Sequence, residues 1–118
     1  MDLRITDMVA MQKALHHLHE SEWFPLEPEY GQNTILYMIE EIGEAIAILK
    51  KKGDQAVMQD LLVRNAFLEE LADVLMYYTD VLLRYHIAPE EISEAYIRKH
   101  ETNMGRNFSA EYKEKYHG

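Results

Sequence analysis

Two short acidic segments, EEIGE at residues 40–44 and EELAD at residues 69–73, decide how this chain is organised. Each lies in a strongly apolar stretch whose spacing predicts a helix. At about 100° per residue, one face of each helix is predicted to be a core face. On the first helix this face comprises Ile35, Met38, Ile39, Ile42, Ile46 and Leu49; on the second it comprises Leu68, Leu71, Ala72, Leu75, Thr79 and Leu82.

The carboxylates fall on the side opposite each apolar face. The two stripes share a 4-3-4 spacing and read Tyr37, Glu41, Glu44, Ile48 and Ala66, Glu70, Asp73, Tyr77. If the helices pack antiparallel, the four acidic groups converge, and they then need a cation or a proton because like charges repel and lose hydration. An all-oxygen ligand set, with no Cys and no well-placed His, favours a hard cation, Mg²⁺ or Mn²⁺.

Composition limits the class of protein. The 118 residues suit a single domain, and a hydrophobic content of 47% argues against disorder. A formal net charge of -9 argues against binding to a nucleic acid polymer. The absence of Cys excludes disulfides and a thiolate nucleophile. With no apolar run of membrane-spanning length and no signal-peptide pattern, we expect a cytoplasmic protein without a membrane partner.

The fold predicted from these patterns is all-α, an antiparallel bundle of four to five helices in one domain over residues 1–118. Helices are expected over residues 3–20, from residue 32 or 33 to residue 49, over residues 54–86 with a break near residues 64–65, and from residue 89 to about 104. Residues 109–118 are expected to be a mobile tail. The histidines at the end of the first helix (His16, His17 and His19) are interpreted as a solvated terminus, because adjacent histidines diverge on a helix. Asp80 is predicted to pair with Arg84.

An aromatic loop over residues 21–31 precedes the first acidic segment. It contains two prolines, the chain's single tryptophan, Trp23, and the adjacent Phe24. Such a pair could stack against a nucleobase, since base–aromatic contacts contribute about 1–3 kcal/mol. It could equally pin the loop to the core, and the sequence favours neither interpretation.

A cationic and amide cluster ends the last predicted helix. Lys99 and Asn103 are four residues apart and share a face, and Arg106 follows in the turn. These groups suit phosphate oxygens, although such a cluster taken alone is more typical of a solvated helix end.

In this combination the chain resembles the MazG-like all-α nucleoside triphosphate pyrophosphohydrolases. The family pattern E-E-x-x-E matches residues 40–44, and E-x-x-D matches residues 70–73. A third family element, K-x-x-x-N with a following Arg, matches residues 99–106, and the family's aromatic loop matches Trp23. The resemblance covers roughly residues 23–108. It implies Mg²⁺-dependent hydrolysis of a nucleoside triphosphate to the monophosphate and pyrophosphate, a reaction suited to cleaning the nucleotide pool.

The resemblance also implies roles for individual residues. The metal ligands would be Glu41, Glu44, Glu70 and Asp73. Either Glu40 or Glu41 would orient or deprotonate the water. Trp23 would enclose the base, and the phosphates would be contacted by Lys99, Asn103 and Arg106. Relatives are commonly dimers or tetramers, and we expect a homodimer or homotetramer.

Other classes fit these patterns less well. A non-catalytic helical module that binds metal, nucleotide or a protein is the main alternative. A di-iron bundle needs Glu-x-x-His pairs, and the chain offers this spacing only from Glu114 to His117. Phosphoribosyl-ATP ranks lower as a substrate because nothing in the sequence singles it out.

Overall fold

The computed structural model describes residues 1–116, which fold into six α-helices without a strand. The all-α prediction is therefore confirmed, but the predicted number of four to five helices is too small. The helices are α1 (Ile5–Leu18), α2 (Gly31–Lys52), α3 (Asp54–Gln59), α4 (Leu61–Arg84), α5 (Pro89–Met104) and α6 (Phe108–Tyr116), with a 3₁₀ turn at Pro28–Tyr30 before α2. His117, which the di-iron alternative invoked, lies outside the described residues.

The chain divides into two compact units. The first, Met1–Ala88, contains α1 to α4, and the second begins at Pro89 and contains α5 and α6. In the first unit, α4 is the central helix, because α1, α2 and α3 all pack against it. In the second, α6 occupies most of the stretch expected to be a mobile tail. None of the described helices combines the length and apolar character needed to cross a membrane.

Helices α2 and α4 run antiparallel. The rings of Tyr37 and Tyr77 lie 6.1 Å apart. Further toward the start of α2, the Tyr85 ring packs so closely on Gly31 that a Cβ there would overlap it. Residue numbers thus rise on one helix as they fall on the other, which brings the two acidic stripes to the same level.

The helix boundaries depend on two local caps. At the end of α2, Gly53 adopts a φ of 85°, which suits a residue without a Cβ. The helix break predicted near residues 64–65 is misplaced, because the structure has the break at Asp60, between α3 and α4. The Asp60 carboxylate accepts hydrogen bonds from the backbone N–H groups of Leu62 at 3.0 Å and Val63 at 3.4 Å. This cap separates α3 from α4 and starts the long helix.

The prediction that the apolar faces of the two acidic helices are buried is largely wrong for a single chain. Only three hydrophobic residues of the described chain are buried, Ala45, Val57 and Leu82, and none of them is completely shielded from solvent. Most large residues of the predicted face are between 38% and 55% exposed: Ile35, Ile39, Ile42, Ile46, Leu68, Leu71 and Leu75. Helical periodicity separates an apolar face from a polar one, but it does not say which face a neighbouring helix covers. Here α2 and α4 bring their acidic stripes together and leave apolar residues exposed.

Candidate functional site

Three carboxylates converge where α2 and α4 meet. Glu41, Glu44 and Glu70 each place one oxygen so that all three atoms lie within 4.8 Å of one another. The i, i+3 spacing on α2 aligns the first two, and the antiparallel packing of α4 supplies the third. The structure thus assembles three of the four predicted metal ligands.

Two oxygens of this cluster are buried without a hydrogen-bond partner. They are Oε2 of Glu41 and Oε2 of Glu70. Ionised carboxylates only accept hydrogen bonds, so facing carboxylates cannot satisfy each other unless one of them carries a proton. Such uncompensated acceptors are costly, because they have lost water without gaining a donor.

The electrostatics of the cluster reflect this conflict. The hydrogen bond that a protonated Glu70 can donate to Glu41, together with the nearby Glu44, raises the pKa of Glu70 to about 7. For Glu41, the hydrogen bond from Glu70 acts to lower the pKa. Burial and the negative charges of Glu44 and Asp73 outweigh it, and the pKa of Glu41 is raised. In the absence of a cation, the pair therefore retains a proton near neutral pH.

The donor set fits a hard divalent cation. Residues 1–88 place no Lys or Arg within ion-pair distance of the Glu41, Glu44 and Glu70 carboxylates. All the converging atoms are carboxylate oxygens, the ligands that Mg²⁺ and Mn²⁺ prefer. The two buried oxygens without a hydrogen-bond partner are what a bound cation would satisfy.

Asp73 and Glu40, the other two acidic residues predicted to belong to the site, lie outside the group of three carboxylates. Asp73 is not one of the three grouped ligands, but it lines the adjoining cleft and its charge acts on Glu41. Glu40 is exposed and belongs neither to the three-carboxylate group nor to the lining of the cleft. Of the two candidates for the water-activating residue, Glu41 is therefore the one at the site.

A cleft of about 470 Å³ extends from the carboxylates to the aromatic loop. Trp23 and Phe24 lie at one end, while Glu41 and Asp73 lie at the other. Between them lie polar and apolar side chains of α1, α2 and α4, among them Gln12, Leu15, Thr34, Tyr37, Met76 and Tyr77. Burial, followed by the charge of Glu41, raises the pKa of Tyr77, so this hydroxyl stays protonated. The cleft thus joins an aromatic wall to an anionic end.

A buried polar network, only partly predicted from the sequence, holds the aromatic loop. The predicted Asp80–Arg84 pair is confirmed, and both residues are 5% exposed. Arg84 also donates through Nη1 to the carbonyl oxygen of Pro25 at 2.8 Å. His16, interpreted from the sequence as solvated, is instead buried, and its Nε2 lies 2.7 Å from the carbonyl oxygen of Phe24. These contacts leave no pattern in the sequence, because their acceptors are backbone atoms of a loop.

The predicted phosphate ligands lie in the second unit. Lys99 is exposed on α5, and Asn103 is half-buried near the end of this helix. Arg106 contacts Glu111 of α6, with its Nη2 2.9 Å from Oε2, and also donates to the side-chain oxygen of Asn103 at 3.2 Å. The guanidinium lies 4.4 Å from the centre of the Phe108 ring. The phosphate-binding role of these residues stays a prediction.

Comparison of this chain with protein-family models, with curated proteins and with solved structures gave no match.

Proposed function

We propose that this chain hydrolyses a nucleoside triphosphate to the monophosphate and pyrophosphate with Mg²⁺ as cofactor, as a MazG-like pyrophosphohydrolase. Mn²⁺ would be an alternative ion. The observation that carries the proposal is the set of three converging carboxylates, which has two unpartnered buried oxygens and one member, Glu41, that lines a cleft with an aromatic wall. A nucleoside triphosphate has the matching form, with a planar base at one end and metal-binding phosphates at the other.

The carboxylates would hold the ion. Glu41, Glu44 and Glu70 supply the converging oxygens, and Asp73 adds negative charge beside Glu41. A bound Mg²⁺ would neutralise charge that develops on the phosphate oxygens and would orient the triphosphate. It would also remove the need for the proton shared by Glu41 and Glu70, because both groups would then be ionised ligands.

The water-activating group is assigned to Glu41 rather than Glu40. Glu41 lines the cleft, where its carboxylate could orient or deprotonate a water beside the ion. A base must lie within hydrogen-bond reach of the attacking water, and exposed Glu40 does not line the cleft. We infer that Glu41 both holds the ion and orients the water.

The opposite end of the cleft would enclose the base. Trp23 lines it with Phe24, which stacks in parallel on Tyr30 with ring centres 4.7 Å apart. Aromatic faces bind any base by stacking, so this wall supports nucleotide binding without naming the base.

We also propose that the protein is a homo-oligomer, a dimer or a tetramer, paired through the exposed apolar faces of α2 and α4. A second copy is the favoured occupant, because two antiparallel helices with one apolar face each form half of a four-helix bundle. Ile39, which is 55% exposed, lies on this face. Ile39→Glu should therefore yield a monomer in analytical ultracentrifugation, and a monomeric unmodified protein would contradict the proposal.

The direct test of the reaction is product analysis. The purified protein is incubated with Mg²⁺ and a panel of ribo- and deoxyribonucleoside triphosphates, and the products are resolved by phosphorus NMR. Monophosphate plus pyrophosphate is the expected result. Diphosphate plus orthophosphate would place cleavage at the other anhydride and reject the proposal. Mg²⁺ binding without turnover of any nucleotide would favour the non-catalytic binding module.

A further inference from the structure

The carbonyl groups of the aromatic loop are held by buried side chains from two different helices. From α1, His16 Nε2 lies 2.7 Å from the oxygen of Phe24. From the end of α4, Arg84 Nη1 lies 2.8 Å from the oxygen of Pro25. A carbonyl can only accept, so both nitrogens act as donors, and the His16 ring carries its proton on Nε2. The loop is thus attached at two consecutive peptide groups.

Arg84 is itself fixed by a second set of contacts. Its Nε donates to Oδ1 of Asp80, and Gln12 Nε2 lies 3.5 Å from the other oxygen of this carboxylate. The three side chains are all buried. A charge-assisted pair that also anchors a backbone carbonyl restricts the guanidinium to one orientation.

Trp23 is positioned by two histidines at the end of α1, one of which is His16. The Trp23 ring stacks on His19 with centres 4.7 Å apart, and it makes a T-shaped contact with the His16 ring, with centres 6.0 Å apart. Trp23 and Phe24 line the cleft whose other end is anionic. The residues that hold the loop therefore also determine where the aromatic wall stands.

We propose that His16, Arg84 and Asp80 are positioning residues that fix the aromatic loop as a preformed wall of the cleft, so that a planar base is bound without ordering the loop. Asp80 and Arg84 also line the cleft, but their charges are paired with each other, so these residues would act through Trp23 and Phe24 and not on the phosphates. The ligand-binding part of this inference rests on the proposed function, whereas the position of Trp23 in the free protein does not. Preorganisation of this kind improves affinity because the loop is not ordered on binding.

The test uses the single tryptophan as a reporter. His16→Phe keeps a ring against Trp23 but removes the donor, and Arg84→Lys keeps the charge but not the forked geometry. We expect both variants to increase the quenching of Trp23 fluorescence by acrylamide under conditions where circular dichroism shows a folded protein. His16→Gln, which retains an amide donor, should restore part of the protection. The matched controls are His17→Phe and Arg98→Lys at exposed positions, and they should behave as the unmodified protein.

The second measurement compares two Mg²⁺-bound ligands. One is the tightest binder among the α,β-methylene analogues of ATP, CTP, GTP and UTP, and the other is inorganic tripolyphosphate. His16→Phe should lower the affinity for the nucleotide analogue by at least about fivefold, the lower end of what base–aromatic stacking contributes. The affinity for tripolyphosphate should be unchanged.

Unchanged quenching in both His16→Phe and Arg84→Lys would overturn the inference, and so would an equal loss of affinity for the two ligands. If the unmodified protein binds none of the analogues, the proposed function fails. The quenching data then still decide whether His16 and Arg84 position the loop.

Discussion

Asp80 of α4 and the acidic residues two to three turns before it on the same helix are charged groups in contrasting surroundings. Asp80 is 5% exposed and carries its own cation, because Arg84 lies four residues later and pairs with it. Glu70 faces Glu41 and Glu44 and has no described Lys or Arg of residues 1–88 within ion-pair distance. In the first region a cation of the chain balances the buried carboxylate, and we call this region complete. In the second region no described cation of residues 1–88 does so, and we call it incomplete.

The difference separates structural carboxylates from functional ones. A buried carboxylate with a neighbouring guanidinium stabilises one arrangement of the surrounding loop and helices. Carboxylates that face one another store unfavourable energy, which a cation from outside the chain can relieve. Perturbed groups beside a cleft are typical of functional sites. Asp80 and Arg84 also line the cleft, but their pairing with each other is typical of an internal support.

The largest expected effect comes from breaking the complete region. Arg84→Met leaves Asp80 buried without its cation and removes the donor to Pro25, so it should lower the free energy of unfolding by about 3–5 kcal/mol. Urea unfolding followed by circular dichroism measures this loss. The control is Arg98→Met, since Arg98 and Glu94 are 70% and 72% exposed, and it should cost less than about 1 kcal/mol. If both variants lose the same small amount of unfolding free energy, the Asp80–Arg84 pair is not the structural support proposed for it.

In the incomplete region, the expected loss is of activity and not of stability. Glu41→Gln keeps the shape of the side chain but removes a metal ligand and the proposed base. The turnover number at saturating Mg²⁺ should fall by more than about 100-fold, the upper end of what outer-shell partners of a metal contribute. Glu69→Gln, at an exposed position next to Glu70, is the matched control and should leave turnover unchanged. Full turnover in Glu41→Gln would disprove the assignment.

The same contrast explains how far the sequence could predict the structure. The i, i+3 spacing of the acids and the i, i+4 spacing of Asp80 and Arg84 are local, so both groupings were predictable from helical geometry. The position of the helix break at Asp60 was not predictable from periodicity. The cap consists of one carboxylate oxygen and two nearby backbone N–H groups, and such a contact does not change the spacing of apolar residues. The exposure of Ile39 was missed because which face is covered depends on neighbouring helices and not on the segment itself. His16 was missed because its partner is a backbone carbonyl.

The stability of the metal-free protein should depend on pH through Glu70. Its pKa is about 7 in the folded state against an ordinary value of 4.5, so the folded chain retains a proton that the unfolded chain releases between these values. Stability should therefore fall as pH rises from 4.5 to 7. Thermal unfolding in EDTA measures this trend in the unmodified protein and in Glu70→Gln.

Glu70→Gln should flatten the decline, because glutamine does not titrate, whereas Glu69→Gln should preserve it. A decline of the same size in Glu70→Gln would assign the proton to another group. Saturating Mg²⁺ should stabilise the unmodified protein most at the upper end of the range, by about 2.7 kcal/mol at 100 times its dissociation constant.

The smallest expected effect concerns Arg106. Its guanidinium is paired with Glu111, and both side chains are partly exposed, so the pair contributes at most about 1 kcal/mol. If Arg106 contacts phosphate, Glu111→Gln should free it and lower the KM for the nucleotide by no more than about fivefold, the equivalent of that energy. Steady-state kinetics with Glu114→Gln as control tests this. An unchanged KM would argue against a phosphate-binding role for Arg106.

The central claim is that the cation missing from the Glu41, Glu44 and Glu70 cluster comes from solution. Isothermal titration calorimetry with Mg²⁺ at pH 6.5, in two buffers of different ionisation enthalpy, tests it most directly. Because the pKa of Glu70 is about 7, Mg²⁺ binding should release most of one proton at this pH and much less at pH 8.5. Saturable binding with this proton release, lost in Glu70→Gln and kept in Glu69→Gln, is the predicted result. No binding at millimolar Mg²⁺, or binding without proton release that persists in Glu70→Gln, would contradict the account.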